Sequence, residues 1–109
     1  MVAGVGSSIP YCASKAAINN LTVTLARALG PTIRVNAVAP GFIEGEWLKQ
    51  GFGKRYDDVK KANESRAVLG RVSQPDDIAD AILSFITGSR QVTGQVVVVD
   101  GGFLIGPKF

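Results

Sequence analysis

The chain has 109 residues, of which 46% are hydrophobic and 19% charged, with 13 glycines and a formal net charge of +3. This length allows at most one small domain, and the composition is that of a globular protein. Its single cysteine, Cys12, excludes an internal disulfide, and the absence of histidine excludes His-based triads and zinc sites within the chain. We therefore expect no metal. Without a membrane-length apolar run or a signal-peptide pattern at residues 1–10, we expect a cytoplasmic protein and no membrane partner.

The first pattern is a loop at residues 1–8 followed by a long helix. The loop is rich in small residues, and either Ser7 or Ser8 is suited to cap the helix that follows. From Ile9 to about Leu29, small and apolar residues recur with helical spacing and no interior Gly or Pro beyond the first turn. Gly30-Pro31 then ends the predicted helix.

Two strand patterns and a second clear helix indicate an α/β protein. Residues 32–39 alternate and are rich in β-branched side chains, which predicts a strand that runs into the turn signal Pro40-Gly41. Ser73-Gln74-Pro75-Asp76 resembles a capping box and begins a helix that reaches about Thr87. Residues 95–100 form a continuous apolar run typical of a buried strand. Because ligands collect at the carboxyl ends of parallel strands, we expect a site just after Ala39.

Residues 44–70 differ from the rest because aromatic residues alternate with basic ones. Helical spacing is present near 46–50 and 57–68, with Gly51 and Gly53 between them. One interpretation is an amphipathic surface insertion, and the other is a mobile lid over a pocket with glycine hinges. The sequence leaves both open. No basic stripe or recognised motif supports nucleic-acid binding, so we expect no nucleic-acid partner.

Tyr11 and Lys15 lie four residues apart near the start of the long helix, so their side chains fall on one face, one turn apart. A fixed ammonium beside a phenol favours the phenolate, which lowers the pKa of the tyrosine from its ordinary value. A phenol tuned in this way can give or take a proton at a carbonyl or alcohol oxygen. The same spacing also occurs on ordinary helices as a solvated edge, so the pair alone does not decide between the two.

Four blocks together resemble the short-chain dehydrogenase/reductase family over about the whole chain. In order, they are Tyr11-Cys-Ala-Ser-Lys15, Ile33-Arg-Val-Asn-Ala-Val-Ala-Pro-Gly41, Gly70-Arg71 before Pro75-Asp-Asp-Ile-Ala79, and Thr93-Gly94 before Val99-Asp-Gly-Gly102. The resemblance implies an α/β fold: the C-terminal part of a Rossmann-like doubly wound parallel sheet, with two strands, the long catalytic helix, a lid insertion and one further helix. Residues 1–109 would be the C-terminal half of a single domain, with 44–70 as the substrate lid.

The resemblance also implies roles for individual residues. Tyr11 is similar to the family's catalytic acid/base, and Lys15 to the residue that lowers its pKa and hydrogen-bonds the nicotinamide ribose. Pro40, Gly41 and the backbone of Ile43 are similar to the segment that lines the nicotinamide. The implied reaction transfers hydride between NAD or NADP and a small-molecule carbonyl or secondary alcohol, with the protein supplying the proton and the geometry.

The chain departs from the family pattern in several places. Gly45 stands where many relatives have a threonine that contacts the cofactor, which removes a hydroxyl contact. The Gly4-x-Gly6 pair follows no strand and lacks a third glycine, so it is not a dinucleotide fingerprint. Ser7 and Ser8 are closer to Tyr11 than the family's catalytic serine, and we interpret them as loop or cap residues. The glycine-rich phosphate loop and the residue that selects NAD or NADP are not in this sequence.

These observations favour an NAD(P)-dependent oxidoreductase that is present here without its dinucleotide-binding half. We expect the isolated chain neither to fold stably nor to bind cofactor, because two strands make a marginal sheet with an exposed edge. The alternative is an inactive, truncated relative that acts as an interaction or oligomerisation module. By resemblance, the full-length form is expected to be a homodimer or homotetramer that pairs through residues 9–29 and 75–102.

Overall fold

A computed structural model of the chain describes residues 8–106 and 109. In chain order its elements are α1 (Ile9–Leu29), β1 (Ala37–Pro40), α2 (Glu46–Phe52), a 3-10 turn (Gly53–Arg55), α3 (Tyr56–Arg66), α4 (Pro75–Thr87), β2 (Val96–Val99) and a second 3-10 turn (Phe103–Ile105). The two strands pair in parallel. This arrangement has the helices and strands that the sequence predicts for an α/β protein.

Helix α1 begins and ends where the sequence predicts. The hydroxyl oxygen of Ser8 accepts a hydrogen bond from the backbone N–H of Tyr11 at 3.3 Å, so Ser8 is the cap. At the other end, the N–H of Gly30 bonds to the carbonyl of Ala26, and a cis peptide bond leads into Pro31. Ser7 and the rest of the predicted loop at residues 1–7 lie outside the described residues.

The chain divides into two compact units, each described here by itself. The first unit comprises residues 1–39 and 81–98, and the second comprises residues 40–80 and 99–109. Both strands and helix α4 contribute residues to each unit. Burial within either unit is modest. In the described part of the chain, Thr22 and Ala26 are the buried residues of the first unit, and the second unit buries Tyr56, Ala67, Val72 and Ser73.

In the first unit, the strand predicted for 32–39 begins only at Ala37, so the prediction was wrong at its start. The N–H of Val35 donates to the hydroxyl of Thr93 at 3.1 Å, and the carbonyl of Val35 accepts from the N–H of Gly94 at 2.7 Å. The backbone before Ala37 is therefore satisfied by a loop and a side chain instead of a regular ladder, which explains the late start.

Arg34 and Asn36 fix the segment that joins α4 to β2. The guanidinium of Arg34 donates to the carbonyls of Phe85 at 2.6 Å and Val92 at 2.8 Å. The side-chain amide of Asn36 donates to the same Val92 carbonyl at 3.0 Å and accepts from the N–H of Gln95 at 3.0 Å. These two side chains bond to backbone carbonyls that lie more than 50 residues away along the chain. They satisfy backbone groups that no strand pairs with at this point.

In the second unit, the start of α4 is capped by a different residue from the one predicted. The carboxylate of Asp77 accepts from the N–H of Gln74 at 2.7 Å, which is the acidic half of a capping box, whereas Ser73 and Asp76 were expected to form it. Arg71 holds that carboxylate through two parallel hydrogen bonds of 2.7 and 2.8 Å. The Arg71 guanidinium, followed by the Gln74 N–H, holds the pKa of Asp77 far below its ordinary value.

The insertion at 44–70 forms two helices joined by a 3-10 turn. Helix α2 continues through Gly51, which the sequence placed between helices, and α3 starts at Tyr56 and ends at Arg66. Gly53 has a positive φ of 53° and marks the joint. A glycine is favoured there because L side chains rarely adopt that backbone conformation. The insertion is therefore two short helices with a glycine joint.

Candidate active site

Tyr11 and Lys15 lie together on α1, in the first unit. The Lys15 Nζ atom is 5.5 Å from the centroid of the Tyr11 ring, within the range of a cation–π contact. Tyr11 is 42% exposed and Lys15 is half-buried. The predicted pair is thus brought together by one turn of helix, with the phenol open to a ligand and the ammonium beside it.

The backbone at the start of α1 is held by local hydrogen bonds. The Ser8 cap satisfies the N–H of Tyr11, and Pro10 occupies the first turn, where its missing N–H costs nothing. The hydroxyl of Ser14 donates to the carbonyl of Tyr11 at 2.8 Å. Both backbone groups of Tyr11 are therefore bonded to side chains at the start of its own helix.

Gly41, in the second unit, lies at the carboxyl end of β1 and packs closely against Asp100. Its N–H donates to the carbonyl of Val99 at 2.9 Å. A Cβ atom added at Gly41 would lie 2.7 Å from the Cβ of Asp100 and 3.1 Å from its Cα. A side chain does not fit between these backbones. Glycine is required here by the contact with Asp100, independently of any cofactor.

Ile43 follows in an extended segment that pairs with Ser73. The N–H of Ser73 donates to the carbonyl of Phe42 at 3.0 Å, and the N–H of Glu44 donates to the carbonyl of Ser73 at 2.9 Å. In this parallel pairing, the carbonyl before Ile43 and the N–H after it form the hydrogen bonds to Ser73. The N–H and C=O of Ile43 itself therefore point away from Ser73. The pairing with Ser73 does not use them, so they are available to a ligand.

Asp100 is a residue that the sequence did not single out for the site. Its carboxylate accepts from the N–H of Gly102 at 2.8 Å and from the N–H of Leu104 at 3.0 Å. These bonds fix the turn after β2, where Gly101 and Gly102 both have positive φ. The signal was present as Asp-Gly-Gly, a typical turn sequence. What it could not show is that Asp100 packs on Gly41.

A second set of polar contacts joins Glu44, the first residue of the insertion, to Lys60 on α3 and to Gln74, which directly precedes α4. The carboxylate of Glu44 accepts from Lys60 Nζ at 2.9 Å and from Gln74 Nε2 at 2.5 Å. The hydrogen bond from Lys60, then that from Gln74, lowers the pKa of Glu44, and the bond to Glu44 raises the pKa of Lys60. Lys60 also approaches Glu64 at 3.8 Å. The sequence did not indicate this contact, since Glu44 and Lys60 lie 16 residues apart.

Neither a metal cluster nor a membrane helix is present in the described part of the chain. No three His, Cys, Asp or Glu side chains of residues 8–106 and 109 converge in a way that suits a metal ion. Among those residues, no helix combines the length and apolar character that crossing a bilayer requires.

A pair of parallel strands and a long helix that precedes them in the chain are elements of a Rossmann-like α/β protein. A family model described as enoyl-(acyl carrier protein) reductase matches residues 2–104. The chain is 40% identical over 101 residues to the short-chain dehydrogenase/reductase homolog YusR of Bacillus subtilis, covering 93% of this chain and 74% of that protein.

Two further similarities concern longer proteins. The chain is 43% identical over 97 residues to the 3-oxoacyl-[acyl-carrier-protein] reductase of Thermotoga maritima, covering 87% of this chain and 38% of that protein. A solved structure of a small-chain dehydrogenase in complex with NADPH aligns with a TM-score of 0.77 and 39% identity, over 87% of this chain and 42% of that one. The chain thus spans well under half the length of each of these two proteins.

The chain belongs to the short-chain dehydrogenase/reductase family. The predicted family and fold class are confirmed by the family model, the relatives and the aligned structure. The individual roles of Tyr11, Lys15, Pro40, Gly41 and Ile43 stay predictions.

Proposed function

We propose that this chain forms the C-terminal, proton-transferring half of an NAD(P)-dependent oxidoreductase domain. Residues 1–109 would be that half, with 44–70 as the substrate lid. The observation that carries the proposal is the Tyr11–Lys15 pair, with the ammonium 5.5 Å from the ring centroid of an accessible phenol. Family membership supports it, as does the aligned dehydrogenase that binds NADPH.

The proposal gives Tyr11 and Lys15 the proton transfer, and Pro40, Gly41 and Ile43 the contact with nicotinamide. Tyr11 donates its phenolic proton to the carbonyl oxygen in reduction and takes it back in oxidation. Lys15 stabilises the resulting phenolate through its positive charge and hydrogen-bonds the nicotinamide ribose. Pro40 and Gly41 line the nicotinamide, and the outward N–H and C=O of Ile43 bind it. The nicotinamide, when bound, supplies or accepts the hydride at the substrate carbon, so that a carbonyl becomes a secondary alcohol or the reverse.

The backbone of Ile43 supports the proposed contact with nicotinamide. The N–H and C=O of Ile43 face away from the Ser73 pairing. Backbone donors and acceptors held in place by pairing suit a planar carboxamide. Two relatives are named a 3-oxoacyl-[acyl-carrier-protein] reductase and a 3alpha-hydroxysteroid dehydrogenase, and both names support a ketone or a secondary alcohol as the reacting group. We expect a cytoplasmic homo-oligomer that binds neither nucleic acid nor membranes.

The test uses the protein expressed from its complete gene, with ethyl acetoacetate as the ketone and NADH or NADPH as reductant. Tyr11→Phe should lower kcat by about 10²- to 10⁴-fold, the range expected when a positioned acid is removed. Lys15→Met should also lower kcat, whereas Lys61→Met, which removes an exposed lysine on α3, should not. Full activity in Tyr11→Phe would contradict the role given to Tyr11.

A second candidate function is an assembly role without catalysis. Helix α1 exposes an apolar stripe with helical spacing, in which Ile18 and Leu21 are about half exposed and Leu25 and Leu29 rather less. Exposed apolar faces of this kind mark interaction surfaces. If assembly is the function, Tyr11→Phe changes nothing, while Leu21→Glu shifts the native mass measured by light scattering to that of smaller species.

A further inference from the structure

Glu44 directly follows Ile43 in the chain, and its carboxylate is held on both sides. One oxygen, Oε1, accepts from Lys60 Nζ at 2.9 Å, and the other, Oε2, accepts from Gln74 Nε2 at 2.5 Å. The backbone N–H of Glu44 donates to the carbonyl of Ser73 at 2.9 Å. Glu44 is therefore fixed at three points, and all of these partners belong to the second unit.

Fixing Glu44 also fixes the backbone of Ile43. A trans peptide is planar, so the carbonyl of Ile43 and the N–H of Glu44 share one plane and point in opposite directions. In the preceding peptide, the carbonyl of Phe42 shares a plane with the N–H of Ile43 and accepts from the N–H of Ser73 at 3.0 Å. The directions of both backbone groups of Ile43 are therefore set by the residues on either side of it.

The ion pair of Glu44 is less exposed than a second ion pair of the same length in the insertion. The side chains of Glu44 and Lys60 are 26% and 27% exposed. Those of Glu46 and Lys49, which also pair at 2.9 Å, are 79% and 45% exposed and lie on one helix. Exposed ion pairs contribute little, because water and salt screen them and the side chains lose entropy on pairing. Of these two carboxylates, Glu44 is the one that joins separate segments.

Gln74, on the other side of the Glu44 carboxylate, is itself anchored at the start of α4. Its N–H donates to the carboxylate of Asp77 at 2.7 Å, and Arg71 holds the same carboxylate with two hydrogen bonds. Paired hydrogen bonds between a guanidinium and a carboxylate fix the direction of both groups. A continuous set of polar contacts therefore leads from Arg71 to Glu44, the residue next to Ile43.

From these contacts we infer that Glu44 is a positioning residue for the bound nicotinamide. Held by Lys60 and Gln74, it keeps the N–H and C=O of Ile43 fixed, so that the carboxamide meets a donor and an acceptor already in place. Both oxygens of the carboxylate accept, whereas a carboxamide side chain has one accepting oxygen and would turn its NH₂ donor toward another donor. This inference rests on the proposed oxidoreductase function and adds a residue that acts through Ile43.

The experiment measures binding by calorimetry, with the protein expressed from its complete gene. NADH is compared with ADP-ribose, which lacks the nicotinamide; if the enzyme prefers NADPH, the pair is NADPH and 2′-phospho-ADP-ribose. Glu44→Gln should raise Kd for the dinucleotide by about 3- to 10-fold, the effect of weakening one hydrogen-bonded contact to the carboxamide. Kd for the compound without nicotinamide should stay the same, because that compound has no carboxamide for Ile43 to bind.

Glu46→Gln is the matched control, since it makes the same change in an ion pair of the same length and should leave both Kd values unchanged. Gln74→Met removes the second partner of the Glu44 carboxylate and should also raise Kd for the dinucleotide alone. Because both variants break one contact, the double variant should weaken binding by less than the product of the two single effects.

Three results would overturn the inference: unchanged dinucleotide binding in Glu44→Gln, an equal rise in Kd for the compound without nicotinamide, or single effects that multiply fully in the double variant. An equal rise would mean that Glu44 only holds the fold. If Glu44→Gln does not fold, Gln74→Met decides by the same comparison of the two compounds. Failure of the proposed function looks different, because wild-type protein would then bind neither NADH nor NADPH, and the inference falls with it.

Discussion

Replacing Gly41 with alanine tests whether packing alone fixes this glycine. The added methyl would lie 2.7 Å from the Cβ of Asp100 and 3.1 Å from its Cα, both well inside normal contact distance. Asp100 cannot retreat easily, because its carboxylate holds the N–H groups of Gly102 and Leu104. Overpacking against backbone of this kind costs about 1–3 kcal/mol. Gly41→Ala should lower the free energy of unfolding by that amount.

The measurement is urea unfolding of the protein expressed from its complete gene, without nicotinamide cofactor. Gly45→Ala is the matched control, because Gly45 has extended backbone angles and nothing within 4 Å of its Cβ position. Its free energy of unfolding should change by no more than about 0.5 kcal/mol. If Gly41→Ala kept wild-type stability and only weakened cofactor binding, the packing argument would be refuted. The glycine would then serve the cofactor alone.

Two further changes test the polar contacts of each unit. Lys60→Met should lower the melting temperature between roughly pH 5 and pH 10, and the difference from wild type should vanish in acid and in strong base. The lowered pKa of Glu44 means that the pair stabilises above the ordinary value of 4.5 and loses this effect as pH falls through the folded-state pKa. The raised pKa of Lys60 means that the effect is present below 10.5 and disappears as pH rises through the folded-state pKa. A pH-independent difference would contradict the ion pair as its cause. Arg34→Ala should cost about 1.5–3 kcal/mol in urea unfolding, because the carbonyls of Phe85 and Val92 lose a charged donor. Arg34→Lys should restore only part of this, and full recovery would show that charge alone suffices.

The parts of the fold that the sequence predicted are those fixed by neighbouring residues. Helix α1 matched because its cap, its periodicity and its stop signal all lie within or beside residues 9–29. The same holds for α4, although its cap was assigned to the wrong acid. The late start of β1 could not be predicted, since Val35 finds its partners at Thr93 and Gly94, nearly 60 residues later.

In the candidate site, too, the sequence predicted contacts between neighbouring residues and missed those between distant ones. Spacing alone predicted that Tyr11 and Lys15 meet, because one helical turn brings them together. Spacing could not show that Gly41 packs on Asp100, nor that Glu44 binds Lys60. These contacts join elements that are far apart in sequence, and each depends on how the strand-end segment folds back.

The residues proposed for proton transfer and those proposed to line the nicotinamide differ in the same way. Tyr11 and Lys15 lie one turn apart on α1, where the N–H of Tyr11 donates to Ser8 and its carbonyl accepts from Ser14. The segment after β1, residues 41–44, is held by partners far away in sequence, which include Val99, Asp100 and Ser73. We therefore expect a substitution near Asp100 or Ser73 to displace the residues proposed to bind nicotinamide, although it does not replace them. We expect the same substitution to leave Tyr11 and Lys15 in place. The contact between Tyr11 and Lys15 is thus fixed by local sequence, whereas the positions of Gly41 and Ile43 depend on tertiary contacts.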